Sequence, residues 1–136
     1  MKTQNKRFLR GTSLVLSGLS SIALLATVPT LSQAKDGDVI TTGTCSVSST
    51  WKLKASPENG KIEIEFEVDQ GKVGQTWSNV IRRNGVIVFR GNRITQGASG
   101  SYTIRKVISN APGDDSITAR AKNLSTGEVC NGSLVF

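Results

Sequence analysis

The sequence contains no histidine and only two cysteines among its 136 residues. The absence of histidine excludes Ser-His-Asp and Cys-His nucleophiles, zinc held by imidazole, and haem on a proximal histidine. Two cysteines are too few for a zinc site made of cysteine alone, which takes about four thiolates. The sequence therefore predicts no metal site and no cofactor, and it favours binding over catalysis.

The first 34 residues have the pattern of a secretory signal peptide. The first ten residues include four basic residues and no acidic one, and an apolar stretch of about 16 residues follows. Ser32-Gln33-Ala34 ends the stretch with small residues at the −3 and −1 positions, so we expect cleavage after Ala34. An uncleaved anchor is the alternative, but a membrane span needs about 20 mainly apolar residues. The chain is therefore predicted to be secreted, without stable membrane insertion.

Removal of this segment changes the charge balance. The whole chain has 17 basic and 10 acidic residues, whereas residues 35–136 retain 13 basic and 10 acidic residues, a net charge of +3. Nucleic-acid binding needs a strong, clustered basic surface, so no nucleic-acid partner is expected.

Cys45 and Cys130 are predicted to form one disulfide, because an exported chain matures in an oxidising compartment. The bond would close a loop spanning 85 positions. Two free thiols or an intermolecular bridge are the alternatives. Neither cysteine has the CxxC spacing that would indicate redox catalysis.

Two segments carry strong strand signals. Residues 62–69 alternate between apolar and acidic side chains, which is typical of a strand with one buried and one exposed side. Asn84-Gly85 lies between two apolar runs and predicts a hairpin with a two-residue type I′ turn. This turn predicts the following cross-strand pairs: Arg83 with Val86, Arg82 with Ile87, Ile81 with Val88, and Val80 with Phe89.

Further short strands are predicted along the rest of the chain. They cover residues 44–47, 51–54, 102–108, 117–122, 128–130 and 134–136. Seven or eight short strands in about 100 residues are the pattern of an immunoglobulin-like antiparallel β-sandwich, with a closed barrel as the alternative. We therefore predict an all-β chain with a signal peptide over 1–34, a flexible leader over 35–43 and an immunoglobulin-like domain over 44–136. Cys45 would lie on the first strand and Cys130 on the last.

Several stretches carry a resemblance to known proteins: Cys45 with Trp51-Lys52-Leu53-Lys54, residues 61–70, residues 74–77, Arg82-Arg83-Asn84-Gly85, residues 117–123 and residues 126–130. The chain resembles a group of small, secreted, uncharacterised bacterial proteins, particularly of actinobacterial type. More loosely, it resembles bacterial immunoglobulin-like and fibronectin-III-like modules. The resemblance covers nearly all of residues 45–136 and implies the same sandwich. It implies no ligand, activity or catalytic residue.

The acidic residues between 63 and 69 lie on one side of their strand. We interpret them as a solvated face balanced by basic residues of neighbouring strands, such as Arg105. A cation site would gather its oxygens around a point rather than along a row. A glycosidase pair is the alternative, since carboxylates two residues apart on a strand are separated by about 6.6 Å. An outer sheet face, however, offers no pocket that would raise the pKa of one of them.

Six residues form the predicted partner-binding surface: Val80, Arg82, Ile87, Phe89, Arg120 and Lys122. The three basic residues are expected on the outer face opposite the acidic one, where they could bind an anionic envelope polymer. The three apolar residues are expected to be exposed if the other side of the hairpin, with Trp77, Ile81 and Val88, faces the core. Such a patch would suit a protein partner. Phe89→Ser would then leave folding intact and weaken binding. The alternative is that Phe89 belongs to the core, in which case the substitution would unfold the domain.

Weaker motifs add little. The acidic turns at 36–38 and 114–115 lack the full ligand run of a calcium loop. The triplets at 123–125 and 131–133 match glycosylation acceptors, which matter only in a glycosylating host.

The sequence thus predicts a secreted, non-catalytic binding module or envelope-associated structural module, whose partner is a protein or an anionic polymer. One alternative is a small secreted inhibitor that presents a loop such as residues 96–100. A histidine-independent hydrolase is the other, and it would need a Ser-Lys or two-carboxylate arrangement that no sequence context marks.

Overall fold

The computed structural model describes residues 36–136, and these form eight β-strands. They are β1 (Val39–Thr44), β2 (Thr50–Glu58), β3 (Lys61–Asp69), β4 (Thr76–Arg83), β5 (Val86–Ile94), β6 (Ser101–Ser109), β7 (Ser116–Asn123) and β8 (Val129–Val135). The predicted signal peptide over residues 1–34 lies outside the described residues. Among those described, no helix has the length and apolar character needed to cross a membrane.

The strands form two four-stranded sheets rather than one closed barrel. The first sheet has the order β1-β2-β3-β6 and the second the order β5-β4-β7-β8, with antiparallel neighbours throughout. Inward side chains of both sheets make one core, whose fully buried large members include Leu53, Ile62, Ile64, Phe66, Val68, Trp77, Ile81, Ile104 and Ile117. Each sheet therefore keeps one outer face toward solvent.

β3 confirms the strand predicted from its alternation. Its four apolar side chains are fully buried, namely Ile62, Ile64, Phe66 and Val68. Because successive side chains of a strand point to opposite sides, the acidic residues between them point outward. This one strand fixes which side of the first sheet faces the core.

β4 and β5 form the hairpin that Asn84-Gly85 predicts. Both turn residues have the positive φ that a type I′ turn requires, 47° at Asn84 and 80° at Gly85. The two pairs nearest the turn are also as predicted: Arg83 with Val86 and Arg82 with Ile87. Asn59-Gly60, between β2 and β3, has the same conformation, with φ of 49° and 74°. The same local signal thus marks both hairpins.

The other two predicted cross-strand pairs are wrong, because a β-bulge at Val88 shifts the register. Val88 is an extra residue on β5, so Ile81 pairs with Phe89 rather than with Val88. Val80 in turn pairs with Arg90 rather than with Phe89. Trp77 and Ile81 lie in the core, as predicted, while Val88 is only partly buried against it.

The predicted flexible leader over residues 35–43 is wrong in its second half, which forms most of β1. Val39–Thr44 is a strand that pairs with β2 along its whole length, and Val39 packs against the core. Its inward positions are Val39, Thr41 and Gly43, opposite the inward residues of β2. With only one apolar side chain among these three, the strand has no apolar alternation that a sequence pattern could reveal.

The disulfide between Cys45 and Cys130 is confirmed, and their Cα atoms are 4.3 Å apart. Cys130 lies on the last strand, as predicted. Cys45 does not lie on the first strand, because β1 ends at Thr44 and Cys45 begins the connection to β2. The bond therefore joins an end of the first sheet to the edge strand of the second.

Trp51 packs between two glycines from different sheets. A Cβ built on Gly43 of β1 would lie 2.6 Å from the Trp51 ring, and one built on Gly132 of β8 would lie 2.9 Å from it. Real Cβ atoms do not approach other atoms so closely. The indole therefore occupies space that both glycines leave open and packs β2 against β8.

We expect Gly43→Ala to lower the free energy of unfolding by about 1–3 kcal/mol, because the added methyl group overlaps the indole. Urea denaturation measures the loss, with Thr42→Ala, on the exposed side of the same strand, as the control. In a Trp51→Leu background the shorter side chain should remove most of the penalty. An equal loss in both backgrounds would show that the indole is not the cause.

Candidate functional site

The acidic row on β3 consists of Glu63, Glu65, Glu67 and Asp69, and basic residues of both neighbouring strands pair with three of its members. Lys54 Nζ lies 2.6 Å from Glu65 Oε2, and Lys52 Nζ lies 3.2 Å from Glu67 Oε2. Arg105 of β6 forms an ion pair with Glu63. The interpretation of this face as balanced by cross-strand bases is therefore confirmed.

Two of these ion pairs shift the pKa of a member toward its charged form. The hydrogen bond from Arg105 lowers the pKa of Glu63 and outweighs the opposing effect of burial. The hydrogen bond to Glu65 raises the pKa of Lys54. A general acid needs the opposite shift, toward a carboxyl that stays protonated near neutral pH. These partners do not provide it.

The outer face of the second sheet carries four basic residues, and we call it the basic face: Arg82 on β4, Arg90 on β5, and Arg120 and Lys122 on β7. Val80 stands between Arg90 and Arg120 in one cross-strand row. In the next cross-strand row, Arg82 lies opposite Thr118. Lys122 lies opposite Ser78. Since Trp77 and Ile81 of the same strand are buried, all of these residues point outward.

No acidic residue compensates this face. None of the outward-facing strand residues of the second sheet is acidic, and in residues 36–136 no carboxylate lies within 4.0 Å of Arg82, Arg90, Arg120 or Lys122. Arg83 shows the contrast, because its Nε lies 2.5 Å from Asp115 and its Nη1 donates to the Ser109 carbonyl at 2.7 Å. The charge of the basic face is thus open to an external anion.

Five of the six predicted partner-binding residues lie on the basic face. Val80 is half-buried among the arginines, and Ile87 is exposed opposite Arg82. Phe89 does not belong to the face. Its side chain packs against the core, with the Arg93 guanidinium 4.9 Å from its ring centroid. The predicted exposure of Phe89 is therefore wrong, and Phe89→Ser should disturb folding rather than binding alone.

Arg90 occupies the place that the sequence assigned to Phe89. A shift of one residue moves every following side chain of a strand to the opposite face, and the bulge at Val88 causes such a shift. Bulges are common on edge strands. That β5 is an edge strand follows only from the complete sheet order, so no local signal identified Arg90.

A depression of about 300 Å³ lies on the basic face between Arg82 and Arg120. The rest of its lining comes from β7 and β8: Thr118, Ala119, Asn131, Gly132 and Ser133. The other outward-pointing members of this lining, Thr118, Asn131 and Ser133, are short and polar and come from β7 and β8. Their hydroxyl and amide groups can donate hydrogen bonds.

A second depression, of about 390 Å³, lies on the first sheet beside β1, β2 and β3. Its lining includes Glu67 and Asp69, which have the spacing of a carboxylate pair. Glu67 is paired with Lys52, and Asp69 accepts the backbone N–H of Gly71 at 3.1 Å. Both carboxylates therefore already have partners.

The weaker motifs occupy different environments. Asn123 is fully buried, and its side-chain oxygen accepts the backbone N–H groups of Ser125 and Thr126. Asn131 is exposed on the basic face. Across residues 36–136, no three acidic or cysteine side chains converge as a metal site would require.

Comparison of the chain with protein-family models, with curated proteins and with solved structures found no match. The largest asymmetry among the described residues is electrostatic, since charges are paired on one outer face of the sandwich and unpaired on the other.

Proposed function

We propose that this protein is an exported, non-catalytic binding module that binds an anionic polymer of the cell envelope through its basic face. The observation that carries the proposal is the lack of any acidic partner for Arg82, Arg90, Arg120 and Lys122 within residues 36–136. Four positive charges without an acidic neighbour repel one another across the face. A polyanion lying across the face would offset that repulsion and release counterions.

We also propose that the sandwich is immunoglobulin-like, and the strand order supports this. With β1 set aside, β2-β3-β6 corresponds to strands A-B-E, and β5-β4-β7-β8 corresponds to C′-C-F-G. Trp77 then takes the place of the buried tryptophan on strand C. The disulfide departs from the antibody pattern, since it joins Cys45 to the last strand rather than strand B to strand F.

Export is supported by the signal-like N-terminal segment and by the disulfide. Structural disulfides persist mainly in oxidising compartments outside the cytosol. An envelope polymer would then be within reach of the exported chain. This compartment also makes nucleic acid an unsuitable partner.

The inhibitor and hydrolase alternatives have less support. The 96–100 loop is closed by paired backbone hydrogen bonds between Gln96 and Ser101, at 2.9 and 3.0 Å, which leaves a short turn at its tip. A hydrolase would need a nucleophile or acid with a neighbouring base, and the carboxylates of the larger depression are engaged by Lys52 and Gly71.

The test is the binding of the purified protein to anionic polymers in solution, with charge reversal on the face. Arg82→Glu with Arg120→Glu should weaken binding about tenfold or more, because each substitution replaces attraction by repulsion. Binding by the unaltered protein should weaken with added salt. Lys61→Glu with Lys72→Glu is the matched control, because both lysines are exposed and neither lies on the second sheet.

The control pair changes the net charge by the same amount and should keep most of the binding. Equal losses in the two double variants would show that total charge acts rather than this face. A protein that binds none of the polymers would contradict the proposal.

A further inference from the structure

We propose that the depression between Arg82 and Arg120 is a subsite for a tetrahedral oxyanion, a phosphate or sulfate ester carried by the polymer. This inference rests on the proposed function and specifies the chemistry of the bound group. It follows from which donors surround the depression and from the directions in which they point.

The two arginines stand diagonally across neighbouring strands. Arg82 pairs with Thr118, while Arg120, two residues further along β7, pairs with Val80. Cβ atoms in such diagonal positions lie about 7–8 Å apart. Long guanidinium side chains can therefore reach a group bound between them from two sides.

Three short polar residues line the depression together with the arginines: Thr118, Asn131 and Ser133. Thr118 of β7 pairs with Ser133 of β8, and Arg120 pairs with Asn131. The two hydroxyl groups and the amide therefore come from β7 and β8, on the side of the depression away from β4. They add further donors to those of the two guanidinium groups.

This arrangement suits a tetrahedral group better than a planar carboxylate. One guanidinium can satisfy both oxygens of a carboxylate through parallel hydrogen bonds in a single plane. A phosphate or sulfate ester places its free oxygens in three dimensions, so it can use both guanidinium groups and the donors beneath. Arginine rather than lysine at both sides fits this demand, because its fork matches phosphate geometry.

The remaining basic residues extend the subsite along a polymer. Lys122 lies two positions beyond Arg120 on β7, about 6.7 Å away along the strand. Arg90 lies two strands from Arg120 across Val80, about 9.6 Å away. Neighbouring charged groups of a chain held in the depression would reach these two residues.

The composition of the face argues against single-stranded nucleic acid as the polymer. Proteins that bind such strands stack the bases on aromatic side chains. None of the outward-facing positions of β4, β5, β7 and β8 holds an aromatic residue. The face offers donors for an oxyanion but no stacking surface.

The experiment compares affinities for four polymers of matched length: poly(glycerol phosphate), dextran sulfate, polygalacturonate and single-stranded DNA. The unaltered protein should bind the phosphate or the sulfate polymer about tenfold more tightly than polygalacturonate, because extra charge-assisted hydrogen bonds form only with the tetrahedral group. The two tetrahedral polymers together show which ester is preferred.

The variant Thr118→Val with Arg120→Lys keeps the charge but removes one hydroxyl and one guanidinium fork. It should bring the affinity ratio close to one, with little change in polygalacturonate binding. Thr103→Val with Arg105→Lys makes the same two substitutions at the same spacing on the outer face of the first sheet, outside the basic face, and should preserve the ratio. Thermal denaturation of each variant confirms that it is folded.

The outcomes separate this inference from the proposed function. If all polymers bind equally and Thr118→Val with Arg120→Lys changes nothing, the subsite is refuted while the basic face remains the binding surface. If no polymer binds, both proposals fail. Tightest binding to single-stranded DNA would also overturn the inference, because a polymer with bases would then be the ligand.

Discussion

Replacing Cys45 and Cys130 together by alanine should lower the free energy of unfolding by about 4.5 kcal/mol. The two residues are 85 positions apart, so the disulfide closes most of the described chain into one loop in the unfolded state. Closing a loop of that length removes much of the entropy of the unfolded chain, and breaking it returns that entropy. Few single contacts in a domain of this size contribute as much.

Urea denaturation of the oxidised protein, the reduced protein and the double alanine variant measures this effect. The reduced protein and the variant should have similar stability, because both lose the cross-link. Any further loss in the variant reports the packing of the Cys130 side chain, which is fully buried. A difference below about 1 kcal/mol between oxidised and reduced protein would contradict the loop-closure account.

The sequence predicts the strands well where their causes are local. The alternation of β3 and the Asn84-Gly85 turn depend on neighbouring residues alone, and each predicts an element that the structure contains. Asn59-Gly60 carries the same local signal. The disulfide also followed, because two cysteines in a chain that is predicted to be exported have one intramolecular partner each. The opposed acidic and basic outer faces follow from the same alternation, once the strands are assigned to two sheets.

What the sequence could not predict depends on contacts between distant parts of the chain. The bulge at Val88 replaces Phe89 by Arg90 on the basic face, and it is defined only by pairing with β4. β1 has few apolar residues and is held as a strand by β2. The depression between Arg82 and Arg120 needs β8 beside β7, which brings together residues from three strands.

Glu128 is the clearest example, since no pattern distinguishes it from a surface acid. Its side chain is 4% exposed, and Oε1 accepts the backbone N–H groups of Val47, Ser48 and Ser49 at 3.2, 2.8 and 2.8 Å. Its Oε2 accepts the Ser49 hydroxyl at 2.8 Å. One carboxylate thus accepts four hydrogen bonds from the connection between β1 and β2, next to Cys45. Three consecutive N–H groups that face one anion form a favourable electrostatic site.

Glu128→Ala should therefore lower the free energy of unfolding at pH 7 by about 3–5 kcal/mol, because four donors lose their acceptor and the two at Ser49 are buried. Glu128→Gln keeps an acceptor oxygen for the three backbone N–H groups and should cost about 1–2 kcal/mol, chiefly the loss of charge. Urea denaturation of both variants measures the two effects. Equal losses would show that charge rather than hydrogen bonding holds the 45–49 connection.

The same carboxylate gives stability a defined pH dependence. Burial raises the pKa of Glu128, but hydrogen bonds from Ser49, Ser48 and Val47 outweigh it, so the pKa lies below its ordinary value of 4.5. A pKa that is lower in the folded protein favours the folded state whenever the group is charged. The contribution is therefore complete above the unfolded pKa and is lost as the pH falls through the folded pKa.

The difference in unfolding free energy between the unaltered protein and Glu128→Gln should stay constant at neutral pH and shrink below pH 4.5. Glu63, whose pKa is also lowered, is present in both proteins and cancels from this difference. A difference that stays constant down to pH 2 would place the acid sensitivity elsewhere.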